Sequence, residues 1–86
     1  MRMYDFRGNR NLCGKRIQQN RKSRNLSQTE LASLLQEKDL KLHRVTISRI
    51  ELGIRYVADY ELNVFADVLG VTMKELVEMP EEESTD

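Results

Sequence analysis

LSQTELASLLQEKDLKLHRVTISRIELG, residues 26–53, holds two short amphipathic runs and the connector between them. It opens on a helix start. Ser27 stands three residues before Glu30, so its hydroxyl can accept from the Glu30 N–H while the glutamate reaches back to the Ser27 N–H. Leu26 and Leu31 bracket that capping box as a hydrophobic staple. Leu31, Leu34 and Leu35 then recur at helical spacing, and Leu42, Ile47 and Ile50 do so again beyond the connector. Gly53 follows where a helix end calls for a left-handed residue.

The same punctuation extends outward. Thr72 and Glu75 form a second capping box with Val71 and Leu76 as its staple, and Gly70 follows Val68-Leu69 as a second helix stop. Leu12, Cys13 and Ile17 make a weaker first stripe, Leu62, Phe65, Ala66 and Leu69 a fourth, and Met73, Leu76 and Val77 a short last one. No stretch alternates with period two. The pattern predicts an all-α chain of five helices, at about 11–24, 28–37, 44–52, 59–69 and 73–79. Residues 1–10 read as a flexible basic arm with Arg2, Arg7 and Arg10, and residues 80–86 as a disordered acidic tail unable to bury anything.

Composition narrows the function. The 86 residues make one domain, and the formal net charge is zero. That zero hides a division: residues 1–56 carry 13 Lys/Arg against 5 Asp/Glu, whereas residues 57–86 carry 1 against 9. One half can meet a polyanion while the other stays away from it. A single Cys and a single His support neither a disulfide framework nor a four-ligand zinc site. Cys13 reads as a small buried residue. No nucleophile–base constellation, paired carboxylates or phosphate loop stands out, which predicts a non-enzyme with no cofactor, no metal and no evident small-molecule site. The longest apolar run is Val64-Phe65-Ala66, so no membrane segment is expected, and the N-terminus is unlike a secretory signal. The expected setting is the cytoplasm.

Two short helices joined by a connector, the second preceded by polar residues, form the layout of a helix-turn-helix DNA reader. The ordered series Gly14-Lys15-Arg16-Ile17, Arg21-Lys22, Leu26-Ser27-Gln28, Glu30-Leu31-Ala32, Thr46-Ile47-Ser48-Arg49-Ile50-Glu51, Gly53 and Leu69-Gly70-Val71 resembles the Cro/C1-type (Xre) helix-turn-helix proteins of phages and bacteria. The resemblance spans roughly residues 12–79 and implies a compact five-helix bundle of the phage-repressor DNA-binding-domain type at 11–79. Three departures stand out. Leu31 and Thr46 are about five residues farther apart than usual, as in a branch of the family with a lengthened second loop, and Asp39 is a candidate for a left-handed position there. His43 stands where Ser or Thr usually caps the reading helix. Asn20 and Asn63 stand where the family usually packs Leu; a buried Asn must find a partner.

The resemblance implies a double-stranded DNA partner and a transcriptional regulator, most simply a repressor, with helix 44–52 in the major groove. It maps base contacts onto Arg44, Val45 and Arg49. Arginine can donate twice to guanine, and valine can touch a thymine methyl. It maps phosphate contacts onto Gln28, His43, Thr46, Ser48 and Arg55, which position without reading sequence. Arg21 and Glu51 match a partly buried structural ion pair of the family. Val57, Tyr60, Val64 and Val68 form a second apolar stripe at the fourth helix, so Tyr60, Val64 and Val68 are candidates for a homodimer interface; alternatively Val57 is a staple for Leu62 and Val68 is semi-buried, which leaves only Tyr60 and Val64 exposed. Two alternatives stay open: an antitoxin or restriction-controller protein of the same fold, and a protein-interaction module that no longer binds DNA.

Overall fold

The computed structural model describes residues 7–78. Every regular element among them longer than a single bridged residue is helical: α1 (Gly14–Ser23), α2 (Gln28–Glu37), α3 (Arg44–Glu51), α4 (Asp59–Leu69) and α5 (Met73–Val77). The arm residues 1–6 and the tail 79–86 lie outside the described residues.

Both capping boxes close. Ser27 Oγ accepts from the Glu30 N–H at 3.0 Å while Glu30 Oε1 accepts from the Ser27 N–H at 2.8 Å. Thr72 and Glu75 repeat the exchange at 3.1 and 2.8 Å. At α4 only the return half exists, because Ala58 has no side-chain acceptor; Glu61 Oε1 accepts from the Ala58 N–H at 3.0 Å. His43 precedes α3 in extended conformation without a side-chain capping bond.

Four helices stop in one way. Asn25, Asp39, Gly53 and Gly70 all have positive φ, between 57° and 79°. At each, the following N–H bonds back to a carbonyl five residues earlier, as in Leu26 to Arg21 at 3.1 Å and Ile54 to Arg49 at 3.0 Å. This is the Schellman closure, which satisfies carbonyls the helix leaves open. Asp39 takes the left-handed position expected of it, and the lengthened connector after it is anchored: Leu40 and Leu42 are half-buried against the core.

The start of α1 differs from expectation. The helix begins at Gly14 rather than residue 11 because Asn11 is used elsewhere. Its Oδ1 accepts from the Gly14 N–H at 2.7 Å, and its Nδ2 donates to the carbonyls of Ile50 at 3.0 Å and Arg55 at 2.8 Å. One carboxamide thus caps α1 and fastens it to the end of α3. Gly14 sits so tightly there that a Cβ would collide with the Ile50 carbonyl.

Ile17, Leu31, Leu35, Ile47, Ile50, Phe65, Leu69 and Leu76 are fully buried and form one core with Cys13 and Ala66. Each predicted stripe supplies members to it. Asn20 does not breach it: the side chain is half-buried and donates to the Arg16 carbonyl at 2.8 Å, while Asn63 is exposed. α3 packs chiefly on α1 and α2; α4 and the short α5 pack on α1 and on each other.

Candidate nucleic-acid interface

α3 is only eight residues long, and its two sides differ completely. Ile47, Ile50 and Glu51 are buried. At 100° per residue, Val45 and Arg49 fall on the opposite arc and Ser48 on its flank, while Arg44, one turn before Ile47, is open to solvent at the first position of the helix. Arg44 and Arg49 are exposed, and Val45 keeps 48% of its surface accessible, so the long connector does not cover it. Thr46 and Ser48 are half-buried at the flanks, and His43 is exposed just before the helix. Among the described residues neither Arg44 nor Arg49 has a side-chain hydrogen bond or ion pair. Two cations and an apolar side chain therefore stand on a rigid helix with no role in its folding. Leu52, the next residue on that arc, is 65% exposed.

The buried edge of α3 is held by charge. Arg21 Nε donates to Glu51 Oε2 at 2.7 Å and its Nη2 to Glu51 Oε1 at 3.0 Å, while Nη1 donates to the Leu26 carbonyl at 2.8 Å. Only 1% of the Glu51 side chain and 9% of that of Arg21 remain accessible. The hydrogen bonds to Glu51 make the Arg21 guanidinium hold its proton more tightly than usual, outweighing its partial burial. Gln28 Nε2 donates to Glu51 Oε1 at 3.0 Å, so the side chain expected on a phosphate is tied to the carboxylate that orients it. Its amide retains a second N–H and a carbonyl oxygen.

Arg55 is likewise engaged. Its Nη1 and Nη2 donate to Glu61 Oε1 and Oε2 at 2.9 and 3.3 Å, and Nη1 also donates to the Tyr56 carbonyl at 3.0 Å. A third of the Arg55 side chain remains accessible, against 7% for Glu61. Burial alone would raise the Glu61 pKa; the Arg55 hydrogen bonds, the Ala58 N–H and the Arg55 charge together bring it below the ordinary value. Sequence reasoning missed Glu61. Its position three residues after Ala58 was the available signal, and it speaks only of a cap. The pair fixes the loop between α3 and α4.

The structure thus leaves Arg44, Val45, Arg49 and His43 exposed on and just before α3. It turns Gln28 and Arg55 toward internal carboxylates at its margin and gives Arg21 and Glu51 the work of orientation. Tyr60 lies elsewhere, on α4, and is 64% exposed; Val57, Val64 and Val68 pack partly against the core. The second stripe is therefore a smaller apolar face than its four members suggest. Among the described residues no His, Cys, Asp and Glu cluster is large enough to hold a metal ion, and no helix is long and apolar enough to cross a membrane. Burial pushes the Cys13 thiol up to about 11, a value that suits packing and not nucleophilic chemistry.

A helix held on one edge and open on the other, preceded by a capped helix at its back, defines a helix-turn-helix DNA-binding regulator. The model of the helix-turn-helix family matches residues 17–76, and the chain belongs to that family, the Cro/C1-type or Xre helix-turn-helix proteins. No curated protein and no solved structure matches it.

Proposed function

We propose that this protein binds double-stranded DNA sequence-specifically and represses transcription by occupying a promoter, with α3 in the major groove. The observation that carries the proposal is the outward side of α3, where Arg44, Val45 and Arg49 stand clear of the core on a helix whose other side is fully engaged. Arg44 and Arg49 read base edges, and Val45 contacts a thymine methyl. His43, Thr46 and Ser48 contact phosphate from the start and flank of α3. Gln28 and Arg55 contact it from the margins while held by Glu51 and Glu61. A carboxylate behind a phosphate-binding donor pre-orients it and lowers the entropy lost on binding. The protein acts as a homodimer through α4, with exposed Tyr60 at the centre of the face and the accessible parts of Val64 and Val68 beside it, matching a two-fold operator.

The test is selection of bound duplexes from a random pool, run in parallel with the Arg44→Ala/Arg49→Ala double variant. The native protein should return a palindromic motif with half-sites about one helical turn apart. The double variant should lose or relax it, at a cost of about 2–6 kcal/mol for two base contacts. A native protein that returns no motif at low salt refutes the proposal.

A further inference from the structure

The chain ahead of α1 is placed against the end of the reading helix. The Arg10 N–H donates to the Gly53 carbonyl at 2.7 Å. The Asn9 side chain fills the space that a Cβ on Gly53 would need. Asn11, two residues after Asn9, is pinned to the carbonyls of Ile50 and Arg55. Residues 9–11 therefore run along the Schellman turn that closes α3. The Arg10 guanidinium lies 5.6 Å from the centre of the Tyr56 ring, within cation–π range. Tyr56 is a large, half-exposed side chain on the loop after α3. Serving as a platform for Arg10 gives it a purpose that core packing does not.

The consequence is electrostatic. Arg10 and Arg49 line one open concavity together with Gly8, Gly53 and Ile54. Two cations sharing a concave surface raise the local positive potential, and a phosphate there is attracted by both. Residues 8–10 precede the family-matched segment, so this cation is an addition to the helix-turn-helix unit.

We propose that Arg10, held by Gly53 and Tyr56, contacts a DNA backbone phosphate beside the base step met by Arg49. The inference rests on the DNA-binding reading of α3 and extends its surface N-terminally. The docked arm carries no sequence information of its own; it adds affinity and salt sensitivity.

The experiment is a fluorescence-anisotropy titration across a series of salt concentrations, using a duplex carrying the selected motif and a second duplex of scrambled sequence. Arg10→Ala keeps the backbone bond to Gly53, and a thermal melt checks that it is folded at the assay temperature. It should weaken binding to both duplexes by the same factor, about two- to fivefold per half-site for an exposed charge contact. It should also reduce the slope of log K against log salt by about 0.9 per half-site. Tyr56→Leu should weaken binding less and leave the slope unchanged, since the cation persists without its platform. Native affinity and slope in Arg10→Ala overturn the inference and leave the reading of α3 standing. Loss confined to the motif-bearing duplex makes Arg10 a base reader and also overturns it. A native protein that binds neither duplex overturns both.

Discussion

Replacing Glu51 by Leu tests whether the reading helix is held by its buried carboxylate. Glu51 accepts from Arg21 at 2.7 and 3.0 Å and from Gln28 at 3.0 Å, with Gln18 at 3.4 Å as a longer fourth contact. Glu51→Leu strands a guanidinium that is 9% accessible. Breaking a buried pair from one side costs about 3–5 kcal/mol. A chain of this size has about 4–13 kcal/mol of total stability at the usual 0.05–0.15 kcal/mol per residue. Glu51→Leu should therefore lower Tm by about 12 °C or more, taking 4–8 °C per kcal/mol for a small domain. Arg21→Met should cost a similar amount, because the carboxylate is left with amide donors alone. The double variant differs in kind. It removes both charges and fills the site with apolar side chains, an exchange that is often neutral or stabilising. The Leu26 carbonyl then loses its donor from Arg21, at about 1–3 kcal/mol. The double variant should accordingly lie within about 3 kcal/mol of the native protein, far above the sum of the singles. Urea denaturation of all four proteins gives the coupling energy directly. Additive singles, or a Glu51→Leu cost below about 1 kcal/mol, would show that apolar packing alone holds α3.

Glu61→Gln keeps the bond to Ala58 and removes the charge facing Arg55, so it should destabilise by about 1–2 kcal/mol at neutral pH. The folded-state pKa of Glu61 is depressed, so its contribution is full above the unfolded carboxylate value and is lost as pH falls through the folded one; the gap between native and variant melting curves should close over that acidic interval. Gly14→Ala drives a Cβ into the Ile50 carbonyl and should cost about 1–3 kcal/mol by thermal melting, against the stabilisation that Ala brings to an ordinary helix position. Cys13, 2% accessible and with its thiol pushed up to about 11, should react with a neutral-pH thiol reagent only on unfolding; rapid labelling of the native protein would contradict its place in the core.

What could be read in advance follows from how local each signal is. The starts of α2 and α5 are written within four residues, because a capping box needs only its own first turn. The stops at Gly53 and Gly70 are equally local, whereas Asn25 performs the same closure with a residue that has many other uses. The start of α1 was misread because Asn11 spends its carboxamide on Ile50 and Arg55, about forty positions away, and periodicity carries no trace of that. Two outward residues of α3 were legible by subtraction: once Ile47 and Ile50 claim the core, Val45 and Arg49 must face away, whereas Arg44, one turn before Ile47, is exposed because it is the first residue of the helix. The partners of Gln28 and Arg55 were not legible. Each is a carboxylate brought near by tertiary packing, and only Glu51 belonged to a pair expected from the sequence.

The distribution of bonds around α3 separates holding from reading. Its inner edge is fastened from several directions: Arg21 of α1 and Gln28 of α2 meet Glu51, and Asn11 meets the Ile50 carbonyl. The loop beyond it is tied to α4 by Arg55 and Glu61 and to the arm by Arg10. A helix of eight residues is too short to persist by its own hydrogen bonds, so these attachments make it rigid. Arg44, Val45 and Arg49 take no part in them. Exposed substitutions away from caps and pairs usually change stability by less than about 0.5 kcal/mol. The outer side of α3 is therefore free to vary without loosening the fold. A rigid platform also limits the ordering cost of docking, so in the proposed DNA complex binding energy from those three side chains would appear as discrimination between base sequences.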